Sequence, residues 1–235
     1  DLFSIKYYIL PNDDMTPLKT KKQMKYSNSN NRIDTSDYAI EKRFKQLFLM
    51  KNDDALPFLF LSPDATKKIK FDSSDITGNQ TKFFEAATGN KQKLFSSVIW
   101  PDPKLINVSS WDGGGKQYTK KNKNQEGRVI FNFKPQTDDS YYLELPGDVD
   151  EDLIDLTVNG TNITTSVRDQ NSRLINLGSR QRGQTIHLVF TLKNNQLNLN
   201  AANLWRLNTK KLEQTMTAFK KRQPQFKQTS ALTIR

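Results

Sequence analysis

The side chains that most often carry enzyme chemistry are scarce in this sequence. Cysteine is absent and His187 is the one histidine, which excludes cysteine nucleophiles, iron–sulfur clusters and zinc sites built from cysteines or several histidines. His187 lies in the alternating segment 185–190, opposite its apolar face, so we expect an exposed histidine on a strand. The 25 acidic residues show no spacing that singles out a pair for acid–base work. The sequence therefore predicts no catalytic residue, no cofactor and no metal site built from cysteine or histidine.

One acidic segment resembles the start of a calcium-binding loop. Asp148, Asp150 and Asp152 have the alternating spacing with which an EF-hand loop begins. The glycine and the glutamate that this loop requires at its sixth and twelfth positions are missing. A looser calcium site at the three aspartates and a solvated acidic turn both stay open.

Aromatic rings are the first candidates for ligand contact. Trp100, Trp111 and Tyr118 lie close together in a stretch that reads as loop. Exposed rings there would stack on a sugar, whereas buried rings would fill the space between two modules. Both interpretations stay open, and the three residues are candidate glycan contacts.

Positive charge is the second candidate for ligand contact. Lys and Arg number 36 against 25 acidic residues, which gives a net charge of +11, and such a protein attracts nucleic acid, anionic headgroups or phosphate-rich polymers. No nucleic-acid-binding signature accompanies the charge, so nucleic acid is disfavoured. The candidate polyanion contacts are one dense group, with a solvated surface as the alternative: Lys116, Lys120, Lys121 and Lys123.

The elements that must position these residues are mainly β, with minor α structure. Apolar alternation predicts strands over 128–133, 141–145, 154–158, 163–167, 174–178 and 186–192, and Asn159-Gly160 is a strong hairpin signal. Short strands separated by turns are typical of an antiparallel β-sandwich or jelly roll. We therefore expect an α+β fold with a sandwich module at residues 104–235 and a smaller α+β part at residues 1–103. That N-terminal part would contain strands over 2–10, 38–50 and 57–61.

Two helices complete the prediction. A short one is expected over 81–88, with Gly89 as its C-cap. An amphipathic C-terminal helix is expected over 208–222, because Asn208 can cap it and Leu212, Met216 and Phe219 form one apolar stripe. We expect this stripe to dock on the sheet and not on a membrane. No apolar run approaches the ~20 residues that a membrane helix needs.

Several segments, taken in order, resemble the YfhO-type bacterial membrane protein family. Residues 2–9 resemble its entry strand, and residues 51–58 contain its N-x-x-A-L-P signature. Residues 83–95 are similar to its short helix, with two alanines in place of the Gln-Asn pair of the family. The segment 205–208, followed by an amphipathic helix, also matches, so the resemblance covers nearly the whole chain.

The resemblance implies a polytopic membrane protein with a GT-C-like glycosyltransferase architecture, in which this chain is an extracytoplasmic soluble region. Such proteins are implicated in adding sugars from a polyprenyl-phosphate donor to cell-envelope polymers such as teichoic acids. By that analogy the catalytic carboxylate lies outside this chain, and no catalytic residue is carried over. The signature residues are expected to be structural, in a turn followed by an extended segment before proline: Asn52, Ala55, Leu56 and Pro57.

These implications give an expected location and expected partners. The location is the extracytoplasmic face of a bacterial cell membrane. The partners are the membrane-embedded remainder of the parent chain and an anionic cell-wall polymer or lipid headgroups. The alternative function is a free-standing carbohydrate-binding or adhesion β-sandwich at the bacterial surface.

Overall fold

A computed structural model of the chain describes residues 7–11, 39–44, 47–51, 63–72, 74–111, 115–149, 152–163, 172–178, 182–223, 228–230 and 233–234. These residues contain a short 3₁₀ helix at Asp64–Lys68, α1 (Ile76–Thr88), α2 (Thr209–Arg222) and the following strands: β1 (Tyr7–Pro11), β2 (Ala39–Arg43), β3 (Leu47–Lys51), β4 (Phe95–Val98), β5 (Pro103–Ile106), β6 (Val108–Ser110), β7 (Gln117–Lys120), β8 (Gly127–Phe133), β9 (Ser140–Leu145), β10 (Ile154–Val158), β11 (Thr161–Ile163), β12 (Arg173–Gly178), β13 (Ile186–Leu192), β14 (Gln196–Asn198), β15 (Asn203–Leu207), β16 (Gln228–Ser230) and β17 (Thr233–Ile234). The fold is mainly β with minor α structure, as the sequence predicted.

Two antiparallel sheets form the sandwich. The five-stranded sheet has the order β11-β10-β13-β8-β5, and the four-stranded sheet has the order β12-β9-β15-β4. Their inner faces share one hydrophobic core, in which the rings of Phe133 in β8 and Tyr141 in β9 lie 5.1 Å apart. Leu143, at the centre of the four-stranded sheet, faces Ile175 on one side and Leu204 on the other. The five-stranded sheet follows the predicted alternation, because β8 and β13 bury alternate side chains in this core. In the four-stranded sheet, β12 is buried along its whole length.

The predicted hairpin at Asn159-Gly160 is confirmed. It joins β10 to β11, which pair antiparallel with Val158 opposite Thr161. Asn159 and Gly160 both have positive φ, 49° and 78°, as a two-residue type I′ turn requires. The described part of the return strand is Thr161–Ile163, which begins two residues before the predicted start at 163, and the remainder of the predicted extent, 164–167, lies outside the described residues.

The N-terminal part contains a separate three-stranded sheet with the order β1-β3-β2. The strand-like stretch 38–50 divides into β2 and β3, which pair antiparallel with Ile40 opposite Met50. The predicted strand at 57–61 and the signature residues Asn52, Ala55, Leu56 and Pro57 lie outside the described residues.

Strand β4 connects the N-terminal part of the sequence to the sandwich. It pairs with β15 in the four-stranded sheet, where Val98 lies opposite Leu204. Residues 95–98 precede the predicted boundary between residues 103 and 104, yet they belong to a sandwich sheet. That boundary stays a prediction.

Both predicted helices are present. Helix α1 begins at Ile76, five residues before the predicted start, because the Asp75 side chain caps it by accepting a hydrogen bond from the Gly78 N–H, 2.8 Å away. It ends at Thr88, and Gly89 follows with a φ of 70°, the left-handed conformation of a helix C-cap. Helix α2 is capped by Asn208, which accepts from the Lys211 N–H.

The apolar stripe of α2 docks on the protein, as predicted. Met216 and Phe219 are buried together with Phe84 of α1 and Leu94 in a second, smaller core. Phe95 of β4, Leu207 of β15 and Leu212 of α2 pack against that cluster. The two helices therefore cover one end of the outer face of the four-stranded sheet. Within the described ranges, no helix combines the length and the apolarity needed to cross a bilayer.

Candidate functional site

The candidate aromatic and lysine residues lie on and beside a β hairpin. Its strands β6 and β7 pair antiparallel, and β14 adds a third strand next to β7. Val108, Tyr118 and Leu197, one from each strand, are buried in the main core. This small sheet is therefore anchored to the sandwich by its inward side chains, while Ser109, Thr119 and Gln196 on its other face are exposed.

The three candidate glycan contacts occupy different environments. Tyr118 is 3 % exposed, its ring centroid lies 6.4 Å from that of Phe131, and burial raises the pKa of its hydroxyl to about 12. Trp100 is half-buried against the same Phe131 ring at 4.7 Å. Trp111, which follows β6, is 62 % exposed. Among the three rings, Trp111 is the one open to a sugar face, and the glycan-contact prediction rests on it.

Lys116 points inward and is separated from the other candidate lysines. Its Nζ donates a hydrogen bond to the Ala202 carbonyl at 2.9 Å and lies 5.0 Å from the centre of the Trp100 ring, a cation–π distance. Its backbone N–H donates to Asn200 Oδ1 at 2.6 Å. Burial lowers the pKa of the Lys116 ammonium. These contacts hold the Lys116 side chain against the protein at the point where the hairpin loop enters β7.

The turn that carries the other lysines is held by one asparagine. Asn107 has a φ of 51°, and its Oδ1 accepts a hydrogen bond from the Asn122 N–H at 2.9 Å. Its Nδ2 lies 2.9, 3.0 and 3.2 Å from the carbonyls of Asn122, Gln125 and Glu126, and its two N–H groups donate to these three acceptors, with one N–H shared between two carbonyls. The hydrogen bonds of this one side chain fix the shape of the turn between β7 and β8.

We call Lys120, Lys121 and Lys123 the lysine turn. Lys121 and Lys123 are exposed, and Lys120 Nζ contacts the Lys193 carbonyl at 3.4 Å. The nearby carboxylates are engaged elsewhere, because Glu126 pairs with Arg128 and Asp155 pairs with Lys193. In the described part of the chain, Lys121 and Lys123 form no ion pair. The turn therefore presents uncompensated positive charge on a fixed backbone.

The acidic segment and the histidine give simpler results. Asp148 and Asp152 are exposed, and Asp150 lies outside the described residues. Among the residues with a described position, no group of three His, Asp or Glu side chains could hold a metal ion.

His187 is exposed on the outer face of β13, as predicted, and its Nδ1 lies 2.8 Å from Asn132 Oδ1.

One polar pair on the four-stranded sheet escaped sequence reasoning. Glu144 is 5 % exposed, and its Oε2 accepts a hydrogen bond from Trp205 Nε1 at 2.6 Å. Its Oε1 has no partner in the described part of the structure. Glu144 follows the core-facing Leu143 in β9, so strand alternation directs its side chain to the outer face of the sheet. The sequence therefore predicts that the Glu144 side chain is exposed to solvent. Nothing in segment 140–145 signals that this outer face is covered.

A protein-family model matches the chain over its whole length. The model is described as bacterial membrane protein YfhO, and it matches residues 1–235. No curated protein and no solved structure matches the chain. The matched range includes the sandwich, both helices and the lysine turn.

Proposed function

Because this chain belongs to the YfhO family of bacterial membrane proteins, we propose that it is a non-catalytic extracytoplasmic domain of a polytopic membrane protein. The observation that carries the proposal is a family match over residues 1–235 for a chain whose described residues build a two-sheet sandwich with its own core. A module with its own hydrophobic core can fold as a separate domain attached to membrane-embedded segments.

The parent protein, in this proposal, resembles a lipid-linked-sugar-dependent glycosyltransferase that modifies a cell-envelope polymer of the teichoic acid type. The chemistry belongs to the membrane-embedded remainder of the parent chain. The domain described above holds the acceptor near that site or shapes access to it. The ordered resemblance of segments 2–9, 51–58, 83–95 and 205–208 to the family supports this assignment.

The lysine turn gives the domain a means of contacting such an acceptor. A teichoic acid repeats phosphate diesters, and phosphates are attracted to ammonium groups. The exposed Lys121 and Lys123 carry this charge on a backbone that Asn107 holds in place. The attraction acts over a Debye length of about 10 Å at 0.1 M salt, so binding should weaken as salt is added.

The location can be tested by cysteine labelling, because this chain contains no cysteine and any cysteine in the remainder of the parent protein can first be replaced by serine. A single cysteine is placed in the parent protein at the exposed position Lys123→Cys, and intact cells are treated with a membrane-impermeant maleimide. We expect labelling without lysis. The matched control is Ala202→Cys, at a position that is 0 % exposed, which should react only after denaturation. Labelling of Lys123→Cys only after lysis would place the domain in the cytoplasm and contradict the proposal.

The acceptor contact can be tested by charge reversal. We expect Lys121→Glu combined with Lys123→Glu to weaken binding of the chain to purified teichoic acid in low salt. The control is Lys68→Glu with Lys70→Glu, two exposed lysines outside the sandwich sheets that change the net charge equally. Equal losses in both variants would mean that net charge alone, and not the lysine turn, attracts the polymer.

The non-catalytic assignment has a separate test. The chain is incubated with a polyprenyl-phosphate sugar and teichoic acid, and transfer of the sugar is followed. We expect no transfer by this chain and transfer by the parent protein. Turnover by the chain would contradict the assignment.

The exposed Trp111 ring favours a second candidate function, a carbohydrate-binding or adhesion sandwich at the bacterial surface. Such a domain would bind neutral glycans by stacking on Trp111. Binding on a glycan array that is lost in Trp111→Ala, and that added salt does not weaken, would favour this candidate over the polyanion contact.

A further inference from the structure

The segment between α1 and β4 lies beside the first half of α2, although the two are far apart in the sequence. The backbone N–H of Asn208 donates to the Leu94 carbonyl at 2.9 Å, and Asn90 Nδ2 donates to Thr215 Oγ1 at 2.8 Å. These two bonds hold the segment between α1 and β4 alongside α2. Residues that are more than 100 positions apart in the sequence therefore share one surface.

That surface is rich in ammonium groups. We call its four exposed lysines, two from the segment before β4 and two from the first turn of α2, the helix-side lysine surface: Lys91, Lys93, Lys210 and Lys211. No ion pair compensates any of them within the described part of the structure. Glu213 is the exposed carboxylate that α2 contributes nearby, so the surface keeps an excess of positive charge.

Helix stability does not explain the lysines in the first turn of α2. The first turn holds no acidic residue, and a cation there opposes the helix dipole, whose positive end it faces. The cations in the last turn, Lys220 to Arg222, lie where the dipole favours them, and Arg222 Nη2 also donates to the Thr88 carbonyl at 3.2 Å. Lys210 and Lys211 have no such structural reason for their charge.

The helix also has no apolar face left for insertion into a bilayer. Met216 and Phe219 are 2 % and 4 % exposed in the second core, and Leu212 packs against it. The open side of α2 is polar and extends over 14 residues, about 21 Å at 1.5 Å per residue. A surface of this kind contacts a charged layer without entering it.

We propose that the helix-side lysine surface docks on the anionic headgroups of a bilayer. The chain belongs to a family of membrane proteins, so a bilayer is part of its surroundings, and lysines near an anionic membrane are attracted to it. The four side chains are all ammonium groups, point charges that suit a fluid array of phosphates, whereas a single bound group would favour the planar fork of arginine. The inference does not depend on the glycosyltransferase assignment.

The test is sedimentation of the chain with vesicles. Vesicles of phosphatidylcholine alone are compared with vesicles that contain one-third phosphatidylglycerol, at low and high salt. Each lysine near an anionic surface contributes about fivefold to partitioning, the equivalent of about 1 kcal/mol. We therefore expect Lys210→Gln with Lys211→Gln, and separately Lys91→Gln with Lys93→Gln, to lower the partition coefficient on anionic vesicles roughly 25-fold.

The matched control is Lys121→Gln with Lys123→Gln, which removes the same charge from the lysine turn. This control should keep partitioning within about twofold of the unchanged chain if the site is local. A circular dichroism melt of each variant verifies folding, which four exposed positions should not disturb.

Three results would overturn the inference. One is the absence of sedimentation with anionic vesicles at low salt. Another is an equal loss in the helix-side and lysine-turn variants, which would assign the attraction to net charge. The third is retention of vesicle binding in both helix-side variants while they lose binding to purified teichoic acid, which would assign the surface to the polymer. Loss of teichoic acid binding in the lysine-turn variant alone would leave the bilayer inference intact.

Discussion

The two lysine groups of this molecule are built in opposite ways. The group at 116–123 is contiguous in the sequence, and the structure divides it: Lys116 lies against Trp100 and the Ala202 carbonyl, while Lys121 and Lys123 are exposed on a turn. The helix-side lysine surface is scattered in the sequence, and the structure assembles it from two segments. Density of charge along a chain is therefore a poor measure of charge density on a surface.

Strand alternation explains why the first group divides. Lys116 directly precedes β7 and has the same parity as Tyr118 and Lys120 within it. Tyr118 is buried, so side chains of that parity face inward. Lys116 and Lys120 are accordingly half-buried, and their long stems lie along the protein. Lys121 and Lys123 follow the end of the strand and escape this constraint.

The largest expected effect comes from breaking the support of the helix-side surface. Phe219→Ala removes a ring that is 4 % exposed in the second core, which should lower the free energy of unfolding by about 3–5 kcal/mol. Vesicle partitioning should fall with it, whereas teichoic acid binding by the lysine turn should persist. Urea denaturation measures the loss of stability.

The matched control for that experiment lies on the same helix. Thr217→Ala changes an exposed residue of α2 and should alter stability by no more than about 0.5 kcal/mol. If Phe219→Ala lowered the free energy of unfolding as little as Thr217→Ala does, docking of α2 would contribute little to the stability of the fold.

Sequence reasoning succeeded where the determinants are local. The alternation of 186–192 and the Asn159-Gly160 pair each specify their structure within a few residues, as does the Asn208 cap of α2. The start of α1 was missed because its cap, Asp75, precedes Gly78 and Asn79, which favour turns over helices.

The candidate site was predictable only in part, because its remaining features depend on tertiary contacts. The exposure of Lys121 and Lys123 is consistent with a polar turn, whereas the burial of Tyr118 follows from packing on Phe131. The burial of Glu144 depends on what covers the outer face of the sheet. The pairing of segment 90–94 with α2 joins residues far apart in the sequence, and no local pattern encodes it.

Tyr118 should report the burial of the hairpin as a dependence of stability on alkaline pH. Its pKa is raised to about 12 in the folded chain, whereas an unfolded tyrosine ionises near pH 10. The unfolded state therefore loses this proton first, and the free energy of unfolding should fall as the pH rises from about 10 to 12, by roughly 2–3 kcal/mol in total. Urea denaturation at several pH values measures this decline.

Two tyrosine variants show whether Tyr118 causes this decline in the free energy of unfolding. Tyr118→Phe should remove the contribution of this hydroxyl, whereas Tyr142→Phe, at a half-buried position on the outer face of the other sheet, should retain it. A decline that is unchanged in Tyr118→Phe would show that the ring is more open than its packing on Phe131 indicates.

We expect Asn107 to affect both the stability of the protein and the binding of teichoic acid by the lysine turn. Asn107→Ala removes the side-chain hydrogen bonds that hold the turn and places alanine, which has no side-chain partner for its backbone, at a φ of 51°. We therefore expect the free energy of unfolding to fall by about 2 kcal/mol. Teichoic acid binding should weaken because Lys121 and Lys123 lose their fixed backbone. Thermal denaturation and binding are measured on the same samples.

Asn107→Gly separates the two contributions of that residue. Glycine tolerates the positive φ but supplies no hydrogen bonds, so its loss of stability should be smaller than that of alanine by up to about 1 kcal/mol. Unchanged polymer binding in both variants would show that the turn keeps its shape without the asparagine.

The smallest expected effect is that of Lys116, and it sharpens the contrast with the turn. Lys116→Met keeps the aliphatic stem on the Trp100 ring and loses the hydrogen bond to the Ala202 carbonyl, while it relieves the cost of a partly buried charge. These opposing effects should leave the free energy of unfolding within about 1 kcal/mol at pH 7. Because burial lowers the pKa of Lys116, the folded chain releases this proton at lower pH than the unfolded chain. The contribution of Lys116 to stability therefore rises as the pH rises through that lowered pKa towards about 10.4, and Lys116→Met should abolish this rise. If Lys116→Met weakened teichoic acid binding as strongly as Lys121→Glu with Lys123→Glu, Lys116 would belong to the same binding site as the lysine turn. That result would contradict the separation of Lys116 from the lysine turn.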